Sequence, residues 1–309
     1  MQSRPVRILD FDSSLTKQHN LIQRFNPSLI DLRAIGSHCR LWMNAATAAK
    51  IREYLDPSLK HSVTFLGSGD FHHISSLLIS QFSEPISVII FDHHPDWDIL
   101  PPKYGCGSWV SRILEMPNIR KVILLGISSE DISSPGIRTG NLAALKENRL
   151  EIYPYSHPPT KVFLRAVPEN ISWEIHRRLL RSLIVWQELK NKNLNVFLPE
   201  LIQRLPTRKV YVSIDKDCLT ADYSLTNWEA GCLRLEELLF LLGLIKEKLE
   251  IAGLDITGEY SPEIFADKIK AAFSRLDHPK DYSAKAKPQE TINSLNEKTN
   301  IAILEKLAL

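Results

Sequence analysis

Ile89-Ile90-Phe91-Asp92-His93-His94-Pro95-Asp96-Trp97-Asp98 decides how this chain is read. The apolar run from Ile86 to Phe91 predicts a strand buried on both faces, as in a parallel sheet. It ends in three carboxylates and two imidazoles within seven residues. Crowded carboxylates repel one another, and a divalent cation is the commonest partner that makes such a cluster stable at neutral pH. Asp92, His94 and Asp96 are alternate residues, and side chains leaving a strand end alternate in direction, so the three can converge on one point. A solvated acidic loop is the plain alternative, and other stretches weigh against it.

Three more predicted strands end in the same way. Val63-Thr64-Phe65-Leu66 delivers Gly67-Ser68-Gly69-Asp70-Phe71-His72-His73, from which Ile74 to Leu78 continues as a helix. Lys209 to Ile214 delivers Asp215-Lys216-Asp217-Cys218-Leu219, and Ile251 to Ile256 carries Asp255 into Thr257-Gly258-Glu259-Tyr260-Ser261-Pro262. In an open parallel sheet the carboxyl ends of the strands lie along one edge, where residues far apart in sequence meet. Further strands are predicted over Val6 to Phe11, Lys121 to Gly126 and Leu150 to Tyr153. Helical patterns cover Cys39 to Leu55, Ser108 to Leu114, Leu235 to Leu249, Ile264 to Leu276 and Glu290 to Leu307. Ile171, Ile175, Leu179, Leu183 and Trp186 recur at helical spacing and predict a long amphipathic helix between about His157 and Pro206. The alternation of strands and helices predicts an α/β protein. One domain is expected over residues 1–276, followed by a flexible connection and a C-terminal helix, 277–309, packed on the same domain.

The 309 residues are 44% hydrophobic and 24% charged, with a formal net charge of +2 and no basic block. That composition suits a globular protein with a large core and points to neither nucleic acid nor an acidic membrane as a partner. A small-molecule substrate is expected. The N-terminal residues do not form a signal-peptide core and no apolar stretch has transmembrane length, so a cytoplasmic protein is expected. Cys39, Cys106, Cys218 and Cys232 lack the paired spacing of a disulfide framework or a thiolate zinc site.

Gly69-Asp70-Phe71-His72-His73, Asp92-His93-His94-Pro95-Asp96 and Ser213-Ile214-Asp215-Lys216-Asp217 resemble the signatures of the arginase/agmatinase ureohydrolases: Gly-Gly-Asp-His, Asp-x-His-x-Asp and Ser-x-Asp-x-Asp. The resemblance covers roughly Leu66 to Pro262. It implies a three-layer α/β/α fold with a mostly parallel sheet, shared with the deacetylases, and a pair of Mn2+ ions at its carboxyl edge. One ion would be held by a His72 or His73 imidazole with Asp92, Asp96 and Asp215, the other by His94 with Asp92, Asp215 and Asp217. The two cations would lower the pKa of a shared water, and the resulting hydroxide would attack a guanidinium carbon, oriented by Asp96. Glu259 resembles the family's guanidinium-holding glutamate, with Gly258 as an inserted residue. Members of the family commonly form rings or larger homo-oligomers.

Two departures stand out. Phe71 separates the aspartate from the histidines, leaving His72 and His73 as rivals, of which His72 is preferred. The family's proton-shuttle histidine has no counterpart in Tyr104-Gly105-Cys106-Gly107-Ser108-Trp109, where Cys106 takes its place, with His93 as a further candidate. Three other readings use the same residues. A single-zinc deacetylase would use Asp92, His94 and Asp215 and leave His72 and Asp217 without a purpose. Phosphoesterases with an Asp-His-His motif need an upstream Asp-x-Asp that is missing here. A non-catalytic metal-binding protein on this scaffold is the third.

Overall fold

Runs of valine, isoleucine and leucine without polar interruption leave a strand no face to show to water, so such strands pair in parallel beneath helices on both sides. The computed structural model, which describes residues 4–134, 136–277 and 287–307, is built in this way. Its strands run β1 Val6–Asp10, β2 Ser28–Asp31, β3 Trp42–Met43, β4 Val63–Ser68, β5 Ile86–Phe91, β6 Tyr104–Gly105 and β7 Ile119–Ile127. They continue as β8 Leu150–Pro154, β9 Thr160–Phe163, β10 Trp173–Arg178, β11 Arg181–Trp186, β12 Lys209–Asp215 and β13 Glu250–Glu259. Eight form one sheet in the order β2-β1-β4-β13-β12-β5-β7-β8. Every pairing in it is parallel.

Alternate residues of β5 serve different cores: Ile86, Val88 and Ile90 pack with Leu77, Trp109 and Ile113, whereas Ile89 and Phe91 pack with Leu238, Leu242 and Ile245. These two cores, one on each face of the sheet, make the three-layer α/β/α architecture. The helix Gln289–Lys306 adds Ile303, Leu304 and Leu307 to the second core. Between β4 and β5 the chain leaves a gap that β13 and β12 fill from far downstream, so the four acid-bearing strand ends become neighbours. Among the described residues no helix is long and apolar enough to cross a membrane.

The long helix expected between His157 and Pro206 is not formed. The antiparallel strands β9, β10 and β11 form there instead, followed by the α-helix Leu194–Gln203. Ile171, Ile175, Leu179 and Leu183 are spaced by four, an even number that fits one side of a strand as well as one face of a helix. Trp173 pairs with Trp186 across the hairpin, their rings 5.1 Å apart and edge to face, and Leu179 stands exposed at the turn. The helix expected over Cys39 to Leu55 forms over Ala45–Glu53 alone; Cys39 ends an earlier helix, Arg33–Cys39, and β3 lies between the two. Asn44 starts the later one by accepting a hydrogen bond from the Thr47 N–H, 2.8 Å. The flexible connection expected over 277–289 lies largely outside the described residues.

Candidate metal centre

The central strand ends carry the polar residues that the sheet brings to one edge. β4 leads into the 3-10 stretch Gly69–Ile74, which presents His72, and β5 runs out into Asp92, His94 and Asp96. β12 ends at Asp215 and turns over Lys216–Cys218, carrying Asp217. These side chains meet. His72 Nδ1 lies 3.1 Å from Asp92 Oδ2, 3.3 Å from Asp96 Oδ2 and 3.5 Å from Asp215 Oδ2. His94 Nδ1 lies 3.0 Å from Asp217 Oδ2 and 3.8 Å from Asp92 Oδ1. Three groups able to hold a cation result among the described residues: His72/Asp92/Asp96 and Asp92/His94/Asp217, which share Asp92, and His93/His94/Glu229 at the rim, which shares His94 with the second.

Hydrogen bonds behind these residues fix their orientation. Tyr211 Oη and Ser213 Oγ both donate to Asp255, each at 2.7 Å, so the Ser213 oxygen is left to accept from His72 Nε2 at 2.9 Å. That assigns the proton of His72 to Nε2 and turns the Nδ1 lone pair toward the carboxylates. The Trp109 indole N–H donates to Asp96 Oδ2 at 2.7 Å, and Asp96 itself sits in the left-handed region at φ 46°. A non-glycine residue held there stores strain, as active-site residues often do.

The electrostatics ask for positive charge. Burial, then the charges of Asp96 and Asp217, push the Asp92 carboxyl well above the usual range. Burial and Asp217 push Asp215 up to about 8. For His72, burial opposes protonation, but the carboxylates of Asp92, Asp96 and Asp215 close to its Nδ1 hold it well above the ordinary imidazole value. Asp217 is held below the usual carboxylate range, because the His94 hydrogen bond and charge outweigh its burial. His72 Nδ1 and Asp92 Oδ2 are buried with no hydrogen-bond partner. Buried polar atoms are rarely left so, and four oxygen-bearing residues with two imidazoles suit a hard or borderline divalent cation such as manganese. The residues fit the expected ions.

The remaining expected site residues fall differently. His73 is fully buried beside His72 but belongs to none of these groups, and burial followed by the charge of Lys270 lowers it to about 3. His93 and Cys106 line the cavity of about 580 Å³ that opens over the centre. Glu259 does not. Its carboxylate is ion-paired with Lys216 and accepts from Gln18 Nε2 at 2.9 Å, Asn296 Nδ2 at 3.1 Å and Asn300 Nδ2 at 2.7 Å. Four donors leave it no valence for a guanidinium, so the expected grip on substrate is replaced by a structural role.

Gly258 explains the change. The ladder between β13 and β4 shifts register there, φ is +85°, and a Cβ on Gly258 would stand 2.5 Å from Asp215 Oδ1. Gly258→Ala is expected to cost about 2 kcal/mol through the positive φ and the displaced carboxylate. Urea denaturation reads the first effect, and weakened manganese binding in a calorimetric titration reads the second.

Sequence reasoning missed Trp109, Tyr211 and Glu229. The first two sit on a helix and a strand whose apolar patterns explain them without the site. Glu229 lies in the loop after β12, where Trp228 donates to Asp70 Oδ1 at 3.0 Å, and no periodicity marks it.

No known family model matches the sequence. An uncharacterized protein of Thermotoga maritima is 27% identical over 201 residues, which are 65% of this chain and 59% of that protein, so the match spans under two thirds of its relative. Among solved structures, the arginase of Bacillus cereus is similar with a TM-score of 0.59 at 12% identity, covering 98% of both chains. The formimidoylglutamase of Bacillus subtilis gives 0.55 at 14% identity, covering 99% of this chain and 89% of that one. The agmatine ureohydrolase of Thermoplasma volcanium gives 0.54 at 12% identity, covering 98% and 88%.

Proposed function

We propose that this chain, whose fold is that of the arginases and agmatinases, is a divergent ureohydrolase: a binuclear-manganese hydrolase of a C–N bond in a guanidino compound or a related amidine or amide. The observation that carries the reading is the pair of ligand groups sharing Asp92 on the floor of one cavity. His72 with Asp92, Asp96 and Asp215 would hold one ion, and His94 with Asp92, Asp215 and Asp217 the other. When bound, two such ions supply a water activated at neutral pH. The protein's own part is placement. The Trp109 hydrogen bond fixes Asp96, whose carboxylate can then hold the nucleophile's proton while the walls position the planar carbon above it.

A single-zinc deacetylase would leave His72 and Asp217 outside the centre, so the sharing of Asp92 between two groups favours two ions. Elemental analysis of protein purified with manganese and zinc both present is the test. Two manganese ions per chain, with urea released from some guanidino compound, is the expected result. One zinc ion would move the assignment to the deacetylases, and no metal would overturn the enzyme reading. Saturating manganese is also expected to raise the melting temperature of chelator-stripped protein by roughly 5 °C, because the ions bind the folded chain alone.

A further inference from the structure

The far end of the β10–β11 hairpin stands clear of the body. Its base is anchored, with Trp173, Ile184 and Trp186 buried in the core that holds Ile132 and Ile137. A strand covered on one face buries every second residue, yet the six residues from His176 to Arg181 are all exposed. Arg178 pairs with Arg181, so the turn between them is Leu179-Leu180. Leu179 is 99% exposed and Leu180 66%. Leu164, whose N–H donates to the Leu180 carbonyl at 3.3 Å, is 86% exposed beside them.

Three features of this tip are unfavourable in water. Two-residue hairpin turns favour Asn, Asp and Gly, and leucine meets none of their needs. Leu164 is held in the left-handed region, at φ 52°, where a leucine is strained. Arg178 and Arg181 stand directly opposite each other on the ladder, and like charges so placed repel. Neither forms an ion pair with another described residue, whereas Arg177 is paired with Glu169 at 2.6 Å. Single exposed leucines are ordinary, but three at one point with cations immediately behind them mark a contact surface. Between Thr160 and Gln187 stand five lysines and arginines against two glutamates, a local excess that the balance of the whole chain averages away.

Whatever receives the tip must offer hydrocarbon at the front and negative charge one step behind. It must do so on every side, because successive strand residues leave opposite faces of the ribbon. An anionic bilayer has that layering, phosphates over acyl chains, with no fixed shape to match. Long arginine stems keep their guanidinium groups at the level of the phosphates while neighbouring leucines go deeper. A nucleic acid would offer phosphates and nothing for the leucines. We propose that the tip formed by Arg178, Leu179, Leu180 and Arg181, with Leu164 beside it, docks this protein on an anionic membrane surface: the leucines enter the acyl boundary and the two arginines bind lipid phosphates. The proposal stands apart from the hydrolase reading and does not depend on it.

The test is co-sedimentation of the full chain with vesicles of phosphatidylcholine and phosphatidylglycerol in equal parts, against vesicles of phosphatidylcholine alone. The mixed vesicles are expected to bind at least about tenfold more tightly, and less so as salt is added. Leu179→Asn/Leu180→Gly gives the turn the residues it favours, so it is expected to fold normally and to bind the mixed vesicles about tenfold more weakly. Arg178→Gln/Arg181→Gln is expected to lose about tenfold as well, together with most of the preference for the anionic lipid. Equal sedimentation with both kinds of vesicle, no sedimentation with either, or an unaffected leucine variant would overturn the proposal. A dimer in analytical ultracentrifugation that the leucine variant dissociates, formed by protein that ignores vesicles, would overturn it in favour of a second copy of this chain.

Discussion

Asparagine in place of Asp92 is expected to take the manganese content from about two ions per chain to near none and to abolish turnover. Asp92 is the residue common to both ligand groups, its Oδ2 is buried without a hydrogen-bond partner, and its Oδ1 already accepts from the His94 backbone N–H at 2.7 Å. Asparagine keeps that acceptor and the shape, so the fold is preserved while the charge is lost. The same change is expected to raise the melting temperature of the metal-free protein by about 3 °C, because a buried carboxylate beside Asp96 and Asp217 repels its neighbours when no cation is present. Elemental analysis and calorimetry of the stripped protein read the two effects. A variant that kept one full ion would show that Asp92 does not bridge.

Lys216→Met carries the other large effect. Lys216 is fully buried between Asp215 and Asp217, and its ammonium pairs with Glu259. Breaking a buried pair from one side leaves a stranded charge, at a cost of about 3 to 5 kcal/mol. Gln18, Asn296 and Asn300 still donate to Glu259, which places the expected loss near the lower end, about 3 kcal/mol by urea denaturation. Adding Glu259→Gln to Lys216→Met removes the stranded carboxylate and is expected to recover part of that loss, a coupling that a double-mutant cycle measures. Glu259→Gln alone separates two roles. A substrate-gripping glutamate would raise KM and leave stability unchanged, whereas the network here predicts a destabilised protein.

What the sequence made legible was the parallel sheet and its loaded edge. Continuous apolar runs such as Ile86 to Phe91 admit one arrangement, a strand covered on both faces, and a polar burst at the end of such a run has to sit at the sheet's edge. Direction was harder to read than position. Glu259 lies where the family pattern puts a glutamate, but the irregularity at Gly258 shifts the ladder, and a one-residue shift sends a strand side chain to the opposite face. The hairpin of β10 and β11 was hidden because a spacing of four suits both periods. Glu229 was invisible for a third reason: a loop residue is placed by what its neighbours touch, here Trp228 on Asp70, and that contact spans the chain.

The same carboxylate of Glu259 has a consequence for the order in which the protein is assembled. Its donors come from residues 18, 296 and 300, and the Gln18 contact alone closes a separation of 241 residues. A chain emerging from the ribosome has made Asp92, Asp215 and Asp217 long before it makes Asn296 and Asn300. Until the helix Gln289–Lys306 has been synthesised and docked, Lys216 and Glu259 lack the amides that complete their burial, and the turn that carries Asp215 and Asp217 has no finished support. Such long loops close late and slowly. Loading of the proposed centre is therefore expected only in the finished chain: a nascent protein arrested before residue 296 is expected to take up no manganese, which elemental analysis of stalled chains would read.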